Sequence, residues 1–154
     1  MAPPWRESCA FIIKVITFTL NSPPVTTRKN ISSGAKWESV VGYSRAVRIG
    51  NTIEVAGTCA VDIDGMPFSP GDPYQQTLRI LEIIRGAIEQ LGGSLQDVIR
   101  TRIYVTHIEH WAEIGEAHGE VFGDIRPVTT MVEVSSLISG EYLVEIEATA
   151  IVTS

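Results

Sequence analysis

The side chains of this chain best suited to moving protons or holding a small polar ligand lie near its C-terminal end. Glu145 and Glu147 sit in LVEIEATAIV, where Leu143, Glu145, Glu147 and Thr149 alternate with Val144, Ile146, Ala148 and Ala150. A period of two marks a strand with one polar and one apolar face, so the two carboxylates share a face. A carboxylate there can act as a general base or position a water, provided its pKa suits the task. The competing assignment pairs Glu145 with an arginine such as Arg100 or Arg102 as a structural ion pair. Tyr43, Arg45 and Arg126 are further polar side chains expected near strand ends, where a neighbouring subunit can dock. Residue types alone leave both assignments open.

Two other sets carry reactive groups. His107, His110 and His118 fall on or beside one helical stretch with Glu109, Glu113 and Glu116. Helical zinc motifs add a correctly spaced third ligand, which this stretch lacks, so no metal is expected and the histidines read as a solvated face plus one packed ring. Cys59 would need a neighbouring base and a lowered pKa to serve as a nucleophile. The sequence offers neither, and a small packed hydrophobe is the expectation. No cofactor is expected.

These residues must be positioned by a single domain of 154 residues, 44% hydrophobic and 19% charged, the balance of a globular chain. A net charge of −6 with scattered Lys and Arg argues against a nucleic-acid partner. Cys9 and Cys59 are too few for a disulfide framework and are expected reduced in a cytoplasmic protein. No run reaches the ~18–20 apolar residues of a membrane span. The stretch CAFIIKVITFTL is interrupted by Lys14 and followed by Asn21-Ser22-Pro23-Pro24 rather than a small-x-small cleavage site. Residues 1–27 are therefore expected to be an appendage, with the domain occupying 28–154.

Residues 28–39 read as turns. A strand over Val41–Ile49, the hairpin signal Gly50-Asn51 and a partner strand from Thr52 follow. Asp72-Pro73 opens a helix that runs to about Leu91 and stops at Gly92-Gly93, with Ile80, Leu81, Ile84, Ala87, Ile88 and Leu91 as its apolar stripe. A strand over Val98–Thr106 comes next, with Val98, Arg100, Arg102 and Tyr104 on one face. The helix after it spans about Ile108–Phe122, with a stripe of Ile108, Trp111, Ala112, Gly115, His118 and Phe122. Two further strands, from Arg126 to Val152, read as a closing hairpin. The order β-β-α-β-α-β-β, with right-handed crossovers, predicts a two-layer α+β domain with both helices on one face of a mixed sheet. The other face lacks cover from this chain, so other subunits are expected to supply it.

The segments RKNISSGAKWESVVGYSRAVRIGNTIEVAGT, QLGGSLQDVIRTRIYV, RPVTTMVEVSSL and YLVEIEATA, in that order, resemble the Rid family. These are YjgF-like reactive intermediate imine deaminases, sometimes labelled L-PSP endoribonucleases, and the likeness covers residues 28–154. It implies a chorismate-mutase-like subunit and a homotrimer with its sheets around a central barrel. It further implies small-molecule ligands in clefts between subunits. The deaminating branch grips the substrate carboxylate with an arginine two residues after the proline of the last-but-one strand. Here that place, after Pro127, is Thr129, and Gly115 replaces a cleft asparagine of the second helix. Glu145 and Gly42-Tyr43 are retained. Losing the guanidinium removes a contact worth ~1.5–3 kcal/mol. Arg126 is the obvious substitute, but at three positions' distance along a strand it points to the other face unless the chain bends at Pro127.

The implied site is then Glu145 as the catalytic group, with Tyr43, Thr129, Trp37, Met131 and Arg126 against the ligand. The expected function is imine or enamine hydrolysis with the usual deaminase activity weakened. The alternative is a non-catalytic small-molecule binder or sensor. Ribonuclease or translation inhibition, implied only by the older family label, has the acidic charge and the missing basic, aromatic groove against it.

Overall fold

A computed structural model describes residues 27–153. The expectation of an appendage over 1–27, like Cys9, falls outside these residues except for Thr27. Six strands, β1 (Arg28–Ile31), β2 (Ala46–Ile49), β3 (Thr52–Cys59), β4 (Val98–Val105), β5 (Val128–Glu133) and β6 (Val144–Ile151), form one mixed sheet in the order β1-β2-β3-β6-β4-β5. Two long helices, α2 (Pro73–Gln90) and α3 (Trp111–Phe122), cover one face, and a short α1 (Lys36–Val41) precedes β2. The two-layer α+β architecture is as the sequence implied.

The apolar stripe of α2 is the one read from its spacing: Ile80, Leu81, Ile84, Ala87 and Ile88 are all buried. Its start works as the Asp-Pro pair suggests, since Asp72 accepts a hydrogen bond from the Gln75 amide at 2.9 Å. Its end relies on Gly92, at φ 77°, a left-handed conformation costly for other residues. Val144, Ile146, Ala148 and Ala150 meet this layer from β6, and Ile53, Val55, Ile103 and Val105 meet it from the flanking strands.

Four local expectations are corrected. The last two strands are not a hairpin: β5 pairs in parallel with β4, whereas β6 inserts antiparallel between β3 and β4. Alternation reports the faces of a strand and says nothing of its neighbours, so the same pattern serves both arrangements. Second, residues 28–41 contain β1 and α1, and β2 begins only at Ala46. Glu38 ends that ambiguity locally, accepting from the Ser33 amide at 2.9 Å, the Ser33 hydroxyl at 2.7 Å and the Ser32 hydroxyl, while Gly42 at φ 83° stops the helix.

Third, the region after β4 opens with a 3-10 turn, Ile108–His110, and α3 buries Ile114, Ala117 and Phe122. Trp111, placed in the apolar stripe by spacing, is 63% exposed. The change from three to 3.6 residues per turn rotates the face away from the phase set by Ile108. Fourth, a register shift between Val98 and Arg100 in the β4–β6 pairing leaves Val98 buried and Ile99 exposed. Beyond that bulge Arg100, Arg102 and Tyr104 share the open face as expected.

The connection between β5 and β6 is fastened by a buried amide. Gln76 of α2 donates to the Glu141 carbonyl at 2.8 Å and the Ser69 carbonyl at 3.2 Å, and accepts from the Leu143 amide at 2.8 Å. Substituting Gln76 by leucine strands these backbone groups in the interior. Gln76→Leu is expected to cost about 2–4 kcal/mol, read as a lowered denaturant midpoint, because each unsatisfied buried group costs about 1–3 kcal/mol.

Candidate functional site

Glu145 stands on the open face of β6, directly opposite Cys59 of β3 on one side and Tyr104 of β4 on the other. It borders a shallow depression of about 370 Å³ whose other walls are Gly57, Tyr104, Val134, Ser136, Leu137 and Glu147. Gly57 is required by proximity: a Cβ at this position would lie 2.0 Å from Glu145 Oε1. The register shift between Val55 and Thr58 puts that glycine beneath the carboxylate, and Arg45 holds the distorted segment by donating to the Gly57 carbonyl at 3.0 Å and Thr58 Oγ1 at 2.6 Å.

The ion pair weighed against a functional Glu145 exists, but it belongs to its neighbour: Arg102 bonds Glu147. Burial pushes the Glu145 carboxyl above the usual carboxylate range and the charge of Glu147 adds to this, while Arg45 and the Cys59 thiol oppose it. Burial, with the charge of Glu145, likewise pushes the Cys59 thiol up to about 12, which suits the packed, unreactive role expected of it.

Thr129 and Met131 lie on the other side of the sheet. In the parallel β4–β5 pairing Thr129 is beside Thr101 and Met131 beside Ile103, both buried under the helices. Thr129 Oγ1 is 2.9 Å from Thr101 Oγ1, which is itself 3.0 Å from His118 Nε2 of α3. Burial pushes the His118 pKa down, so its ring is neutral at neutral pH. Within one chain, then, Glu145 and Thr129 face opposite ways.

The chain does bend before β5, but at Arg126 itself, where φ is 55°. Its guanidinium turns back to donate to the Gly123 carbonyl at 3.0 Å beyond the end of α3, so the bend does not aim it along the Thr129 face. Trp37, on α1, is 54% exposed with Lys36 Nζ 4.8 Å from its ring centroid, and Tyr43 has the Arg45 guanidinium 6.0 Å from its ring. The expected residues thus form no single pocket inside one protomer. His107 and His110 approach edge to face at 6.1 Å, but no group of three side chains able to hold a metal occurs among the described residues. Nor is any described helix long and apolar enough to cross a membrane.

Sequence reasoning missed two contributors. Gly57 carried a signal, since a glycine inside a strand often marks close approach or a bulge. Thr101 was visible as a polar residue on the buried face of β4, whereas its link to His118 depends on the placement of α3.

The elevated pKa has a measurable consequence. A carboxyl whose folded pKa exceeds its unfolded value favours folding when protonated and loses that contribution as pH rises through the folded pKa. Glu145→Gln is therefore expected to melt above the unmodified protein at pH 7, with the difference disappearing below about pH 4. A melting-temperature series across that range checks it. Gly57→Ala is expected to keep the fold while displacing the Glu145 carboxylate, visible as a shift of its side-chain carboxyl resonance.

The family model described as Endoribonuclease L-PSP matches residues 34–152. A Mycobacterium tuberculosis member of the YjgF/YER057c/UK114 family is 52% identical, superposing with a TM-score of 0.75 over 82% of this chain and 100% of that one. A Rid-family protein of unknown function from Yersinia pestis is 27% identical with a TM-score of 0.71, again over 82% of this chain and all of the other. A RutC family protein of Pyrococcus abyssi is 37% identical over 70% of this chain and 84% of its own length. With a match spanning both the sheet and its helical layer, the chain belongs to the Endoribonuclease L-PSP family, the group that also carries the YjgF and Rid names.

Proposed function

We propose that this protein acts in small-molecule metabolism as a homotrimer whose ligand sites lie between subunits, and that it hydrolyses imines or enamines with weakened activity on carboxylate-bearing ones. The observation carrying the reading is the state of Glu145: half-buried, unpaired with arginine and beside an open depression, with its pKa displaced toward neutrality. A raised pKa makes this carboxylate a stronger base toward a bound water than an ordinary exposed glutamate. Water adds to the imine carbon as Glu145 accepts its proton. Return of that proton to nitrogen gives a carbinolamine; transfer of its hydroxyl proton to the same nitrogen through the carboxylate then breaks the C–N bond, releasing ammonia and leaving a carbonyl.

The geometry within one chain supports a site shared between copies. Glu145 and Thr129 occupy opposite faces of one sheet, so a cleft containing both requires Glu145 of one copy and Thr129 of another. The open face also exposes Val128 and Val132 at 60% and 43%, apolar area that subunit packing would cover. Sedimentation at several concentrations is expected to give a trimer mass; a stable monomer removes the cleft.

The weakened activity rests on position 129, where a neutral hydroxyl stands in place of a guanidinium, with Arg126 turned away. The same feature favours the second reading, a binder without turnover. Endoribonuclease activity is not part of the proposal, because the open face carries Glu54, Glu145 and Glu147 on a chain of net charge −6.

Thr129→Arg is expected to raise kcat/KM for 2-iminopropanoate about 10- to 100-fold, the equivalent of one restored charge-assisted contact. Combining it with Glu145→Gln should return turnover to background. Unmodified activity matching that of an arginine-bearing relative would refute the proposed weakening, and turnover indifferent to Glu145→Gln would remove the general base.

A further inference from the structure

Thr129 ends a run of three hydrogen bonds that begins under the helices. His118 Nε2 is 3.0 Å from Thr101 Oγ1, Thr101 Oγ1 is 2.9 Å from Thr129 Oγ1, and Thr129 Oγ1 is 3.2 Å from the Pro127 carbonyl. A carbonyl only accepts, so the single proton of Thr129 goes to Pro127. The bond between the two hydroxyls is then donated by Thr101. Having spent its own proton, Thr101 accepts from the histidine. All three bonds are made together only when Nε2 of His118 carries a proton.

Two features hold this arrangement. Thr101 is 0% exposed, so water does not replace either partner, and the His118 ring packs on Phe122 with centroids 4.7 Å apart. Burial keeps the imidazole neutral, so it has one proton to place, and Nδ1 is left bare. The terminal link to Pro127 is the longest of the three, and Thr129 is exposed. An incoming oxygen atom can take that last proton in place of the Pro127 carbonyl.

We propose that His118 is a positioning residue: acting through Thr101, it fixes the Thr129 hydroxyl as a hydrogen-bond donor, so the ligand presents a carbonyl or carboxylate oxygen at this end of the cleft. The assignment rests on the reading above that Thr129 lines a ligand cleft.

Two measurements separate the inference from that reading. In the full chain labelled with ¹⁵N in its histidine rings, two-bond proton–nitrogen correlation reads the tautomer, and the spectrum of His118→Gln assigns the signal. The expected state is Nε2–H; a bare Nε2 with the proton on Nδ1 overturns the inference whatever the ligand. The second measurement titrates pyruvate against the unmodified protein and three variants. Thr129→Val and His118→Phe are expected to weaken binding roughly two- to tenfold, the loss of one neutral hydrogen bond. His118→Gln, whose amide can still donate to Thr101, should bind within about twofold of the unmodified protein on the same scale. Equal affinity in Thr129→Val or in a folded His118→Phe overturns the donor role. Failure of pyruvate to bind the unmodified protein, with Nε2–H established, instead overturns the cleft and the ligand assignment that rests on it.

Discussion

Strand β6 is bonded along both edges, to β3 and to β4, and the rest of the architecture follows from that double pairing. Its alternation places Val144, Ile146, Ala148 and Ala150 under the helices and Glu145, Glu147 and Thr149 on the open side. A slip of one residue would bury two carboxylates and expose the centre of the core, so the register is strongly specified. The glutamate is therefore carried on a strand hydrogen-bonded along both edges. Its surroundings come from the two neighbours: a glycine in the bulged β3 makes room, and Tyr104 of β4 forms the adjacent wall.

The edge strand β5 has a different character. It is held on one side only, by parallel pairing with β4, and its Thr129 and Met131 look toward the helical layer rather than the open face. Two polar systems are thus separated by the thickness of a sheet: an acidic one around Glu145, and a neutral one of hydroxyls and imidazole around Thr129. Their chemistry differs, carboxylates on one side and neutral hydroxyls with an imidazole on the other. Within a single chain the two do not meet.

What was legible in the sequence were features with a local cause. The start and stop of α2, the Gly50-Asn51 hairpin and the two faces of β6 each follow from spacing or from a residue with one conformational use. The family likeness identified the fold correctly. What escaped depended on which elements become neighbours. Nothing in the alternation of residues 128–152 distinguishes a hairpin from two strands separated by β4. The phase of α3 was misread because a 3-10 turn precedes it, which left Ile114 and Ala117 out of its buried face; His118 was in the expected stripe, but its bond to Thr101 depends on where the helix sits. Glu145 was correctly placed on the polar face, but assigning the arginine to Glu147 required the β4–β6 register.

The segment from Val134 to Leu143 forms part of the wall of the depression through Val134, Ser136 and Leu137, yet it contributes no strand to the sheet. It is tied at one end by the Val134 amide on the Val105 carbonyl and at the other by Gln76. Between these anchors Tyr142 is buried and Leu143 packs on the core, whereas Ser135, Ser136 and Ile138 are exposed. Point changes in this surface segment can therefore reshape the rim of the depression while the strand that carries Glu145 stays as it is.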